Sequence, residues 1–209
     1  LHTAYRRQRQ MCIRDSISAV RRRTAVRLAA QVRPELAALA MPHAQLEFSV
    51  EPAPMGPRGA DSVTIMLAAN PGSDPVPLAK AASGGELSRV RLALEVVAAQ
   101  TQTPQTFVFD EIDSGVGGAV GIEIGRRLRQ LARRHQVIVV THLAQVAAFA
   151  DTHVVITKAS DGAVTSSGLR EVIGADREIE LSRMMSGMVD SESGHEHAHD
   201  LLREVRQRD

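Results

Sequence analysis

With 209 residues, 44% of them apolar, and a formal net charge of +1, the chain is long enough to bury a substantial core and carries no global field to attract nucleic acid or membrane. Aromatic residues make up only 2% and Trp is absent, so the core must be built from Ala, Val, Leu, Ile and Met, which suits mixed α/β packing better than an aromatic-rich β-sandwich. The single cysteine, Cys12, excludes an internal disulfide framework, and no apolar run approaches the roughly 20 residues of a membrane-spanning helix, so a cytoplasmic location and no membrane partner are expected.

The chain begins at Leu1, not at a Met, and is expected to be a piece of something longer. Its opening, "LHTAYRRQRQMCIRDS", has a period of neither 2 nor 3.6. Residues 1–16 are therefore expected to be non-native or disordered, which sets Tyr5 and Cys12 aside from function. From residue 17 to residue 39, Val20, Leu28, Val32, Leu36 and Leu39 fall at helical spacings, and Pro34 should kink that helix or start a new turn. The run Arg21, Arg22, Arg23 is more simply a solvated helix face than a phosphate contact. Next, "QLEFSVEP" and "SVTIMLAA" alternate apolar and other residues and predict two strands joined by the loop "APMGPRGA". Pro77 keeps the approach to "ASGGELSR" extended. Leu87, Val90, Leu94 and Val97 then predict a helix over 86–99, with its N-terminus on Ser83, Gly84 and Gly85.

After Pro104 the unalternating run "TFVFDE" reads as a strand buried on both faces. "GGAVGIEIGRRLRQLARRH" is a helix, "QVIVVTH" a second buried-type strand, "LAQVAAFA" a short helix, "HVVITK" a third strand and "AVTSSGL" an edge strand after the Asp161-Gly162 turn. "ADREIELSRMMSG" is a small helix with Ile179 and Met184 on one face, and "ESGHEHAHDLLREVRQ" closes the chain as an amphipathic helix. Strands alternating with helices over short loops predict an α/β fold with a largely parallel sheet flanked by helices.

In open parallel sheets, ligands sit outside the carboxyl ends of the strands. "TFVFDE" brings Asp110 and Glu111 to that edge, and "QVIVVTH" brings Thr141 and His142. For nucleotide hydrolysis the roles divide naturally. Magnesium prefers oxygen ligands and retains waters, which suits Asp110. Glu111 suits the orientation of an attacking water. His142 can donate a hydrogen bond to the transferred phosphoryl group and sense its presence. Ser83 is an N-cap type hydroxyl, and Gly84 and Gly85 let backbone N–H groups approach phosphate oxygens, although the same triplet serves as a plain helix cap. His195 and His199 stand one helical turn apart, but without a third positioned ligand a solvated helix is the simpler reading. Arg126, Arg127, Arg129, Arg133 and Arg134 likewise read as a solvated face before a DNA contact. Met184, Met185 and Met188 suit packing.

These segments together resemble a known family. "ASGGELSR", from Ala82 to Arg89, is similar to the signature motif of ABC-type ATPases, "TFVFDE" to their Walker B strand and "VVTH" to their switch histidine. "PLAKAASGGELSRVRLALEVV", "FDEIDSGVGG" and "VTHLAQVAAFADTHVVITK" resemble the RecN family of bacterial DNA-repair ATPases, relatives of the SMC proteins. The resemblance covers roughly residues 20–202. It implies the C-terminal half of an ABC/SMC-like P-loop ATPase head (41–190), preceded by the end of a coiled-coil helix (17–40) and followed by a C-terminal helix (191–209). It implies ATP and Mg²⁺ as ligands, a second copy of the protein as homodimeric partner, and DNA as a partner of the full-length protein. Under it, Ser83, Gly84, Gly85 and Glu86 contact nucleotide held by the partner head, Asp110 holds magnesium, and Glu111 and His142 are catalytic. No GxxxxGK[ST] loop precedes either lysine, Lys80 or Lys158. One departure is the glycine-rich "DSGVGG", where many ABC ATPases have an Asp in the loop. The competing readings are an ATPase subunit of a membrane transporter and a non-catalytic head-association module.

Overall fold

The computed structural model describes residues 2–81, 84–99, 103–160, 165–187 and 192–207. They fall into two units, Leu1–Gln100 and Thr101–Asp209.

The first unit starts with one long helix, α1 (His2–Ala38). Its first half lies in the segment expected to be non-native or disordered; Ala, Arg, Gln and Met favour helix strongly enough to extend one nucleated further along. Pro34 also stays inside α1. It removes a single backbone donor within a turn or so of the helix end, where little of the ladder remains to be lost. Strands β1 (Gln45–Gly56) and β2 (Gly59–Ala68) form an antiparallel hairpin with Phe48 opposite Ile65, as the alternation predicts. The pairing continues further than expected, to Gly56 opposite Gly59, because Gly59 takes the positive φ (+98°) that the tight turn demands. A two-residue strand, β3 (Val76–Pro77), pairs with β2, and α2 (Leu78–Ala81) leads towards α3 (Gly84–Ala98). Val32, Leu36 and Leu39 of α1, Leu46 and Leu67 of the hairpin, and Val90, Leu92 and Ala93 of α3 are buried. The buried face of α3 runs through Gly85, Arg89, Val90, Leu92, Ala93 and Val96, while Leu87 is 41% exposed. Of the expected positions Leu87, Val90, Leu94 and Val97, Val90 is therefore fully buried and Leu87 is not, since apolar residues on several sides let tertiary contacts choose.

In the second unit, β4 (Thr106–Phe109) and β5 (Gln136–Val139) pair in parallel, with Val108 opposite Ile138. Helix α4 (Gly118–Ala132) connects them. After α5 (Ala144–Ala147), strands β6 (His153–Ser160) and β7 (Thr165–Val172) form an antiparallel hairpin, followed by α6 (Gly174–Ser186) and α7 (Glu192–Gln207). Parallel pairing is therefore confined, among the described residues, to β4 and β5. The strands are also not buried on both faces. Phe107 and Phe109 are buried, but Val108 is 52%, Ile138 47% and Val140 54% exposed. Their continuous apolar character matches a sheet with a second face to cover, and the described residues of the second unit leave that face open. Ala144, Ala147, Ala148 and Phe149 pack with Leu181, Ala198, Leu201 and Val205, and Met184 and Met185 flank the same core. Met188 and the Asp161-Gly162 turn lie outside the described residues.

Candidate functional site at the parallel strand ends

Parallel pairing of β4 and β5 brings their carboxyl ends to one edge, and the Val140 N–H to Phe109 carbonyl bond (3.0 Å) carries the ladder to that edge. Asp110 and Glu111 follow β4, and Thr141 and His142 follow β5, all within the second unit. Asp110, Glu111 and His142 are exposed. The Asp110 Oδ1 accepts the Glu111 N–H at 3.0 Å, and the Glu111 carbonyl accepts the Ser114 N–H at 3.0 Å. Glu111 itself adopts a left-handed conformation, φ +56°. For a residue with a Cβ, that conformation costs about 1–2 kcal/mol, so the surrounding turn must hold it.

The buried centre of this edge is Asp113, 2% exposed. Its carboxylate accepts from the Thr141 hydroxyl, from the His142 N–H at 2.9 Å and from the Leu143 N–H at 3.2 Å. The His142 Nδ1 lies 3.1 Å from the same oxygen. The sequence pattern alone does not single out Asp113. The available signal was a carboxylate separated from Glu111 by only the fully buried Ile112.

Helix α4 supports the segment after β5 through its glycines. A Cβ on Gly121 would stand 3.2 Å from Leu143 Cδ1 and 3.1 Å from Gln145 Cβ, and one on Gly125 would stand 2.3 Å from Phe149 Cδ2. Gly-free helices could not approach this closely.

The other candidate residues belong to the first unit. Gly84 and Gly85 open α3, Gly85 is buried, and Glu86 lies in its first turn, where a carboxylate complements the helix dipole. Ser83 lies outside the described residues. Arg89 is buried, and desolvation pushes its guanidinium pKa down, with Glu86 opposing. Of the α4 arginines, Arg126 and Arg127 pair with Glu123 on their own helix, Arg126 at 2.9 Å. His197 and His199 are exposed on α7, and among the described residues no group of three or more His, Cys, Asp or Glu side chains is arranged around a metal position. Magnesium bound by Asp110 and nucleotide oxygens would need no such group, because that ion keeps most of its shell as water and phosphate. No helix among the described residues is long and apolar enough to cross a membrane.

Comparison with known proteins gives a consistent picture. No family model matches the chain. It is 49% identical over 205 residues to the DNA repair protein RecN of Streptomyces coelicolor, covering 92% of this chain and 36% of that protein. The RecN of Mycobacterium leprae is 48% identical over 212 residues (91% and 36%), and that of Xylella fastidiosa 39% over 196 residues (92% and 35%). The chain thus spans about a third of the length of these curated relatives. In three dimensions it is similar to the Smc head domain with a coiled coil and joint from Pyrococcus yayanosii, at TM-score 0.56 and 22% identity, covering 78% of this chain and 30% of that one. A structure described for ATP-driven dimerization and DNA-stimulated activation of SMC ATPases matches at TM-score 0.50 and 20% identity, covering 81% and 98%. These likenesses show the fold, that of SMC ATPase heads.

Proposed function

The chain belongs to the RecN family of DNA repair proteins, of whose members it spans about a third, and from that premise we propose that it supplies one lobe of an ATPase head that hydrolyses ATP when two copies meet. Closure and hydrolysis would be coupled to repair of DNA double-strand breaks in the cytoplasm, at the nucleoid. The observation that carries the reading is the shared strand edge: parallel β4 and β5 end in Asp110, Glu111 and His142, and Asp113 joins the two ends.

In this reading Asp110 would hold Mg²⁺, which would neutralise phosphate charge, and Glu111 orients the attacking water and takes its proton. His142 donates a hydrogen bond to the terminal phosphoryl group. Ser83, Gly84, Gly85 and Glu86 face nucleotide held mainly by the second copy, with the start of α3 offering backbone N–H groups to phosphate oxygens. The exposed apolar face of Val108, Ile138 and Val140 supports a second lobe, from elsewhere in the full-length protein, closing over the sheet. Exposed Ile17 and Val20, three residues apart on one face of α1, support its role as one strand of a coiled coil.

The test is Glu111→Gln in the full-length protein carrying this chain. Removing the base is expected to lower ATP turnover by about 100-fold or more and to leave ATP-bound dimers that persist in size-exclusion chromatography. Unchanged turnover would remove the hydrolytic reading and favour an association module.

A further inference from the structure

Asp113 has no task in the chemistry just described, yet it is the most deeply buried acid at the strand edge. Every partner that the geometry gives its Oδ2 comes from three consecutive residues after the neighbouring strand: the Thr141 hydroxyl, the His142 N–H at 2.9 Å, the Leu143 N–H at 3.2 Å and the His142 Nδ1 at 3.1 Å. The Thr141 Oγ1 also accepts the Leu143 N–H at 3.1 Å, which closes the segment on itself. A carboxylate at 2% exposure is tolerated only when donors satisfy its lone pairs. Residues 141–143 do so, and in return their backbone and one imidazole edge are held in place. The His142 side chain is otherwise 71% exposed, so a ring that could adopt many orientations is restrained at one nitrogen.

The consequence concerns the tautomer. A lone pair on Nδ1, 3.1 Å from the Asp113 Oδ2, would be repelled by the carboxylate, so the tautomer with its proton on Nδ1 is favoured and Nε2 is the ring nitrogen left for a ligand. Because Asp113 lies two residues beyond Glu111 in the same turn, whatever moves that turn also moves the imidazole.

We infer that Asp113 is a positioning residue: it fixes segment 141–143 and the Nδ1 edge of His142, so that Nε2 alone faces the terminal phosphate or the attacking water, in step with Glu111. This rests on the nucleotide reading of the site, but its structural half can be tested independently.

The experiment uses full-length protein carrying this chain, labelled with ¹⁵N-histidine, and His142→Gln identifies the ring signals. In the wild type the proton is expected on Nδ1 of His142; a ring protonated on Nε2 alone overturns the inference whether or not Asp113→Asn folds. Asp113→Asn is expected to change that ring signature and to lower kcat by about 10-fold or more, with the KM for ATP held within about twofold. Wild-type kcat, or a defect confined to KM, overturns it. Failure of the ATPase reading would look different: no turnover in the wild type, or normal turnover in Glu111→Gln, whatever the ring shows.

Discussion

At the scale of single residues, Glu111 and Asp61 show two ways in which a carboxylate is held. Glu111 is exposed and strained, at φ +56°, with its N–H on Asp110 and its carbonyl on Ser114. No glycine or asparagine marks that left-handed turn, so nothing in the local sequence announces it; strain of this kind collects at functional sites. Asp61 is relaxed and enclosed. Its Oδ1 accepts the Ser18 hydroxyl at 2.7 Å and its Oδ2 the Arg21 guanidinium at 2.8 Å, while Arg21 also donates to the Arg58 carbonyl at 2.8 Å. The hairpin turn is thereby tied to α1. The Ser18 hydrogen bond first, and then Arg21, hold the Asp61 carboxyl below its ordinary range. Since the folded value lies below the unfolded one, the stabilisation is present at neutral pH and fades as pH falls below about 4. Asp61→Asn is therefore expected to lower the melting temperature at pH 7 and to flatten the loss of stability as pH falls below about 4. Thermal melts across that range decide it, and an acid slope equal to the wild type's would count against the tether.

At the scale of elements, α4 sets the position of the segment after β5. Gly121 and Gly125 lie four residues apart on one buried stripe, and each lets a side chain from residues 143–149 approach the helix backbone. Gly125→Ala would place a Cβ 2.3 Å from one Phe149 ring carbon and 2.9 Å from two others. The Phe149 ring is buried in the core with Ala144, Leu181 and Leu201. Overpacking of this sort costs about 1–3 kcal/mol, to be read from urea unfolding. A variant as stable as the wild type would mean that Phe149 has room to withdraw. The helical character of "GGAVGIEIG" and the strand character of "TFVF" and "QVIV" were legible in the sequence, because each depends on neighbours within a turn or two. The edge strand after "HVVITK" was legible too, and it pairs with β6 as β7. The exposure of Leu87 was not: Arg89, Leu92 and Val96 lie beside Val90 in the core in its place, through contacts that a local period does not encode.

At the scale of the whole molecule, the question is what covers the apolar side of the parallel pair. Val108 and Ile138 are direct register partners, and both are about half exposed. If a second lobe of the full-length protein closes over them, their cost of replacement depends on context. Val108→Thr with Ile138→Thr is expected to change the stability of this chain alone by no more than about 0.5 kcal/mol, as for surface positions. The same pair is expected to destabilise the full-length protein by about 2 kcal/mol or more, since apolar area would be lost from a buried interface. Equal, small effects in both settings would sink the two-lobed head.

The amino-acid sequence by itself determined that this is an α/β chain and where the polar residues Asp110, Glu111 and His142 punctuate its strands, since secondary structure and its ends follow from short-range sterics and apolar spacing. It also carried enough identity to place the chain among its relatives. Only the tertiary structure decided that Asp113, and not a nearer neighbour, holds His142. The two residues are separated by 29 positions, and a buried carboxylate takes whichever donors the fold delivers to it.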